Sequence, residues 1–148
     1  AEALELAAAP FGPEGLEQLY KLESSPRWRA WYDLTRGRQL AMSVRYAEYR
    51  ALVETLCRPG GLPDDVNCLQ IAPAPRLLLG SVTEARAREA QRLLTRCLEE
   101  NPNTPWAYLA QRELDHPLGV VHRAWYQEPP PPSPTISVPQ APVVLPKL

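Results

Sequence analysis

Methionine and phenylalanine occur once each in these 148 residues, as Met42 and Phe11, and lysine and histidine twice each. The two histidines, His116 and His122, form no His-x-x-x-His pair, and Cys57, Cys68 and Cys97 contain no Cys-x-x-Cys. A zinc cage and a disulfide framework are therefore not expected. Cys57 and Cys68 flank one loop and leave a single pairing open as an alternative. There is no glycine-rich phosphate loop and no Gly-x-Ser-x-Gly elbow. The adjacent carboxylates Asp64-Asp65 and Glu99-Glu100 are too few for a calcium loop. No apolar run nears the ~18 residues that a membrane helix needs. A formal charge of −1 gives no global attraction to nucleic acid. The expectation is a protein with no cofactor, no metal, no catalytic residues and no nucleic-acid partner.

Charge and proline are abundant instead, and both are unevenly placed. Residues 1–24 carry five glutamates, and residues 26–58 carry seven arginines. This reads as two helices that lie together or face water, with an Arg-rich face for an acidic partner as the sharper alternative. Eight of the 18 prolines fall after residue 127. The chain divides on this basis into a helical domain, 1–127, and a proline-rich tail, 128–148. Pro129, Pro130, Pro131 and Pro132 favour polyproline II, so the tail reads as a spacer or as a ligand for an aromatic groove. The opening AEALELAAAP has neither an initiator Met nor a signal-peptide pattern, and the expectation is a stretch of a longer polypeptide, its compartment undetermined.

Periodicity and punctuation place the helices. Residues 1–9 are helix-prone, and Pro13 opens a short acidic helix carrying Leu16, Leu19, Tyr20 and Leu22. Ser25 and Pro26 then start the longest segment, running to Cys57 with no further proline. Ala30, Leu34, Gly37, Ala41, Val44 and Ala51 mark its inner face. Trp28, Trp31 and Tyr32 thicken its start, and Tyr46, Tyr49, Leu52 and Leu56 its end. Gly37 reads as a close approach of another helix or as a kink, and its small neighbours Ala30 and Ala41 favour the approach. The turn cluster RPGGLPDDVN ends this helix. Residues 68–80 read as an ordered loop over the helices, with a brief extended segment as the alternative. Residues 84–100 form an amphipathic helix with Ala87, Ala90, Leu94, Cys97 and Leu98 inward and Glu84, Arg88, Arg92 and Arg96 outward.

The stretch ENPNTPWAYLAQRELDHPLG (100–119) specifies a corner. Pro102 stops one helix, Thr104 caps the next with Pro105 at its first position, and Trp106, Leu109, Ala110 and Leu114 face inward. Residues 120–127 form one strand or a packing strap. The fold class expected is all-α: a helical bundle with one long central helix, a C-terminal helical hairpin and a proline-rich tail.

Two resemblances add to this reading. Ala90, Leu94, Cys97 and Pro102, with Thr104, Ala107 and Ala110, resemble a tetratricopeptide-type hairpin confined to residues 84–115. More broadly, SPRWRAWYDLTRGRQLAMSVRYAEY, the hairpin and the proline-rich end resemble the C-terminal region of large bacterial von Willebrand factor A-domain proteins. That resemblance implies a helical accessory domain that packs against a protein partner, an upstream domain of the same polypeptide among the candidates. The compartment, bacterial cytoplasm or cell envelope, stays open. The Asp-x-Ser-x-Ser adhesion motif of such proteins is absent, so no metal ligand carries over.

The function expected is a non-enzymatic protein–protein interaction or scaffolding module. Its candidate contact residues are Arg27, Trp28, Arg29, Arg38, Arg45, Trp106 and Pro129 to Pro132. Trp28, Trp31, Trp106 and Trp125 read as core and hairpin anchors before a ligand cage. Trp28 beside Arg27 and Arg29 is the exception that a partner could meet. The alternatives are a ligand-binding or enzymatic domain with a pocket between the long helix and the hairpin, near His116 or Tyr46, and an assembly subunit pairing through the long helix.

Overall fold

The computed structural model describes residues 13–129, so the expected helix at 1–9 and the tail from Pro130 onward lie outside the described residues. Along the chain come α1 (Pro13–Leu22), α2 (Pro26–Leu56), β1 (Cys68–Ala74), α3 (Ser81–Glu100), α4 (Pro105–Leu114) and β2 (Gly119–Trp125). The expected all-α class is corrected by one two-stranded antiparallel sheet, in which Cys68 faces Trp125 and Ala74 faces Gly119. The fold is mainly helical with this added ribbon. Neither strand alternates cleanly, and β1 contains Pro73. Each exists because the other, dozens of residues away, satisfies its backbone groups. Residues 68–74 are thus a strand and not the loop expected there. Gly119 is required at its position, because a Cβ would collide with the carbonyl of Arg76.

The long helix α2 has 31 residues and spans roughly 46 Å. Ser25 is its N-cap in extended conformation, but the side chain makes no capping bond. The Ser25 carbonyl instead accepts from the amides of Trp28 and Arg29, both at 3.1 Å. Its buried face includes Ala30, Leu34, Gly37, Ala41 and Val44 as expected, then follows Leu52 and Leu56, leaving Ala51 half-buried. Tyr46 and Tyr49 stay about half exposed and do not thicken the core. Phase explains this. Two and five residues beyond Val44, they fall off the stripe that Val44, Glu48, Leu52 and Leu56 turn inward.

Gly37 is a point of close approach within an unbroken helix. A Cβ built there would lie 2.7 Å from Cγ of Leu94 and 3.4 Å from the Ala90 carbonyl oxygen. Around this contact, Ala30, Leu34, Leu94, Cys97 and Ala110 form one core cluster, with Trp106, Leu109 and Leu114 packed against it. Leu40, Ala41, Ala90 and Leu93 form the next, closed by Tyr32 and Leu118. The corner before α4 is built as its residues specify. Thr104 accepts from the Ala107 amide at 3.3 Å, and Asn103 takes the left-handed turn at φ 61°. All three cysteines are free, so Cys57 and Cys68 do not pair. The buried Cys97 thiol is pushed up to about 11, by burial first.

Gly37→Val puts branched carbons into the space of Leu94. A loss of about 1–3 kcal/mol is expected, read as a lower urea midpoint at an unchanged slope.

Candidate functional site

Three features of α2 organise the candidate sites: an ionic cluster near its start, an aromatic groove above that cluster, and a cleft along its middle. The ionic cluster comes from Asp33, which has no exposed surface although it sits beside Leu34 on the apolar face. Burial holds its carboxyl above the usual carboxylate range, against the pull of Arg96. Nε of Arg96 donates to both Asp33 oxygens at 3.0 and 3.1 Å, and its Nη1 reaches Glu17 at 2.5 Å. The Tyr20 hydroxyl donates to Asp33 at 2.9 Å, and the Arg96 guanidinium lies 3.8 Å over the Tyr20 ring. Arg96 therefore points inward, contrary to its expected outward placement. A buried carboxylate must find a partner, and Arg96 is the cation that α3 places opposite it. The hydrogen bond from Arg96 lowers the Glu17 carboxyl below its ordinary value. Through Glu17 and Tyr20, α1 is tied to α2 and α3.

Above this cluster, Leu19, Tyr20, Glu23, Trp28, Arg29, Trp31 and Tyr32 line a groove of about 270 Å³. Trp28 and Trp31 meet edge to face with ring centres 5.9 Å apart, and Trp28 is 58% exposed. Arg29 reaches Glu100 at 2.6 Å.

The cleft lies between α2, α3 and the segment after α4, with a volume of about 440 Å³. Its floor is Ala41, Ala87, Ala90 and Leu94, and Pro75, Leu77, Leu114, Pro117 and Leu118 form its apolar walls. Glu84, Arg88, Gln91, Asp115 and His116 stand around it. Two side chains of α2, close to one turn apart, hold the walls. Arg45 pairs with Glu113 and donates to the carbonyls of Glu113, His116 and Pro117 at 3.3, 3.1 and 3.3 Å, fixing the end of α4 and the segment that follows it. The fully buried Glu48 accepts from the amides of Leu78 and Leu79 at 2.5 and 3.1 Å, fixing the loop that carries Pro75 and Leu77.

The expected contact residues do not form one surface. Arg27 is exposed, and Trp28 and Arg29 line the aromatic groove. Arg38 and Arg45 instead turn to Glu113, Arg38 at 3.4 Å, so they hold α4 to α2. Trp106 packs against the first core cluster and serves the hairpin. Pro129 is exposed, whereas Pro130, Pro131 and Pro132 lie outside the described residues. Asp33 and Glu48 were missed by sequence reasoning. For Glu48 the signal was present: Val44, Glu48, Leu52 and Leu56 are spaced four apart, which places a carboxylate inside an apolar stripe.

Among the described residues, no three metal-ligating side chains stand together, and no helix is long and apolar enough to cross a membrane. Comparison with protein-family models, with curated proteins and with solved structures finds no match for this chain.

Glu48→Ala leaves the Leu78 and Leu79 amides without an acceptor. A loss of roughly 2–4 kcal/mol is expected in urea unfolding, with faster hydrogen exchange at those two amides. Tyr20 offers a second measurement, because burial raises its hydroxyl to about 12. A group raised in the folded state contributes stability that is present below its unfolded value near 10 and is lost as pH climbs through about 12. An ultraviolet phenolate titration should contain a component near 12 that Tyr20→Phe removes.

Proposed function

We propose that this chain is a non-enzymatic protein–protein interaction module, an accessory domain of a larger bacterial protein, that seats an amphipathic segment of a partner in the cleft beside α2. One observation carries the reading: both cleft walls are held in place by bonds from α2, through Arg45 and Glu48, around an apolar floor of small residues. A preformed apolar recess with a polar margin accepts a bulky apolar side chain at little ordering cost. Three of the polar and charged groups at and after the end of α4 already have partners, whereas Glu84 and Arg88 stand exposed at the rim. Nδ1 of His116 lies 2.6 Å from the Arg112 carbonyl, Asp115 accepts from Gln111 at 2.7 Å, and Glu113 is paired with Arg38 and Arg45. The resemblance to the C-terminal region of von Willebrand factor A-domain proteins adds the expectation that the partner is another domain of the same polypeptide.

A second reading, a small-ligand site in the same cleft, is favoured by the volume of about 440 Å³, which lies within the ~300–1,000 Å³ common for such pockets. The carbonyl at Nδ1 makes that nitrogen the donor, which leaves Nε2 of His116 for a ligand.

Gln91 and Arg88 are exposed on the rim, so Gln91→Trp and Arg88→Glu alter the cleft without entering the core. Quantitative affinity capture, followed by titration with the purified candidate, should find a protein whose affinity falls at least about tenfold with Gln91→Trp, close to 1.4 kcal/mol. Equal affinity for the wild type and both rim variants would refute the cleft as the contact. Binding of small apolar compounds alone would select the second reading.

A further inference from the structure

A second recess shares only Glu113 and His116 with the cleft. Arg38 and Arg45 of α2, Leu109, Arg112 and Glu113 of α4, and His116 just beyond it enclose a notch of about 190 Å³. Its charges do not balance. Glu113 is the one carboxylate in the lining and stands among three arginines. Both of its oxygens are taken, Oε1 by Arg45 and Oε2 by Nε of Arg38 at 3.4 Å. Arg112 is exposed and, among the described residues, its guanidinium has no partner. Asp115, two residues beyond Glu113, already accepts from Gln111 at 2.7 Å. The nearest carboxylates of α2 offer nothing, because Asp33 and Glu48 are fully buried. The notch therefore carries a formal excess of two positive charges, and an entering anion would lessen the repulsion among its guanidiniums.

The surroundings narrow the kind of anion. Arg38, Met42, Arg45 and Tyr49 follow at steps of four, three and four, so they share one face of α2. Met42 and Tyr49 are 50 and 49% exposed beside the two arginines. Arginine next to exposed tyrosine and methionine is the composition of a protein contact surface. Glu113 stays in the notch, so a doubly charged phosphate would meet a carboxylate as well as the cations. A carboxylate carries one charge and presents two oxygens to the fork of a guanidinium.

We propose that the notch formed by Arg38, Arg45, Arg112 and Glu113 binds an aspartate or glutamate side chain on an acidic segment of a partner protein. Arg112 and the Nη groups of Arg38 donate to that carboxylate, and bulky apolar residues of the same segment rest on Met42 and Tyr49. The contact is separate from the cleft, and either can fail alone.

Random peptides displayed on phage and selected on the full-length chain are the probe. Peptides enriched through the notch should carry aspartate or glutamate with a bulky apolar residue three or four positions away. They should bind Arg112→Glu at least about tenfold more weakly, and Gln91→Trp as tightly as the wild type. Lysine in place of the acidic residue of such a peptide should restore its binding to Arg112→Glu. Arg112 makes no side-chain contact among the described residues, so the urea midpoint of Arg112→Glu should stay close to that of the wild type. A selection in which no peptide loses affinity with Arg112→Glu would overturn the proposal. Displacement of the peptides by millimolar inorganic phosphate at constant ionic strength would also overturn it, by making the notch a phosphate site.

Discussion

The contact between Gly37 of α2 and Leu94 of α3 sets the spacing on which the rest of the molecule depends. With no side chain at position 37, the two helices approach closely enough for Leu94 to occupy the space of the missing Cβ. Interior helix glycine costs about 1 kcal/mol relative to alanine, and here the cost is offset by dispersion contacts along the seam. That close approach puts Arg96 against Asp33 and makes Ala41 and Ala90 the floor of the cleft. A wider spacing would separate the buried carboxylate from its cation. Removing one member of such a pair is far more damaging than never having had it.

Each candidate surface is an outgrowth of this seam. On one side of Gly37 the Asp33–Arg96 cluster fastens α1, and the fastening creates the aromatic groove between α1 and α2. On the other side Arg45 and Glu48 fasten the two loops that wall the cleft. Side chains of α2 thus bind the polar backbone of segments that lack helical partners. Irregular backbone is thereby held in place without becoming buried apolar structure.

How much was legible varied with the range of the interaction responsible. The corner at Pro102, Thr104 and Pro105 was read correctly from four consecutive residues, because a proline or a cap acts within one helical turn. Helical faces were also legible, since one period governs them, and the errors came at Ala51, at the exposed Trp28 and Trp31, and at the half-exposed Tyr46 and Tyr49. Arg92 and Arg96 illustrate the limit. They lie one turn apart with the same chemistry, yet Arg92 reaches Glu89 at 2.8 Å near the surface while Arg96 enters the cluster at Asp33. Nothing local distinguishes them.

Spacing, caps and prolines decided from the sequence where the helices begin and end and where the long helix needs a small residue. The tertiary structure alone decided that 68–74 and 119–125 pair with each other as strands, that Arg38 and Arg45 hold α4 to α2, and that Arg96 turns inward. The reason is common to all three. A strand edge, a helix C-terminus and a buried carboxylate each lack partners in their own segment, and the groups that satisfy them lie dozens of residues away.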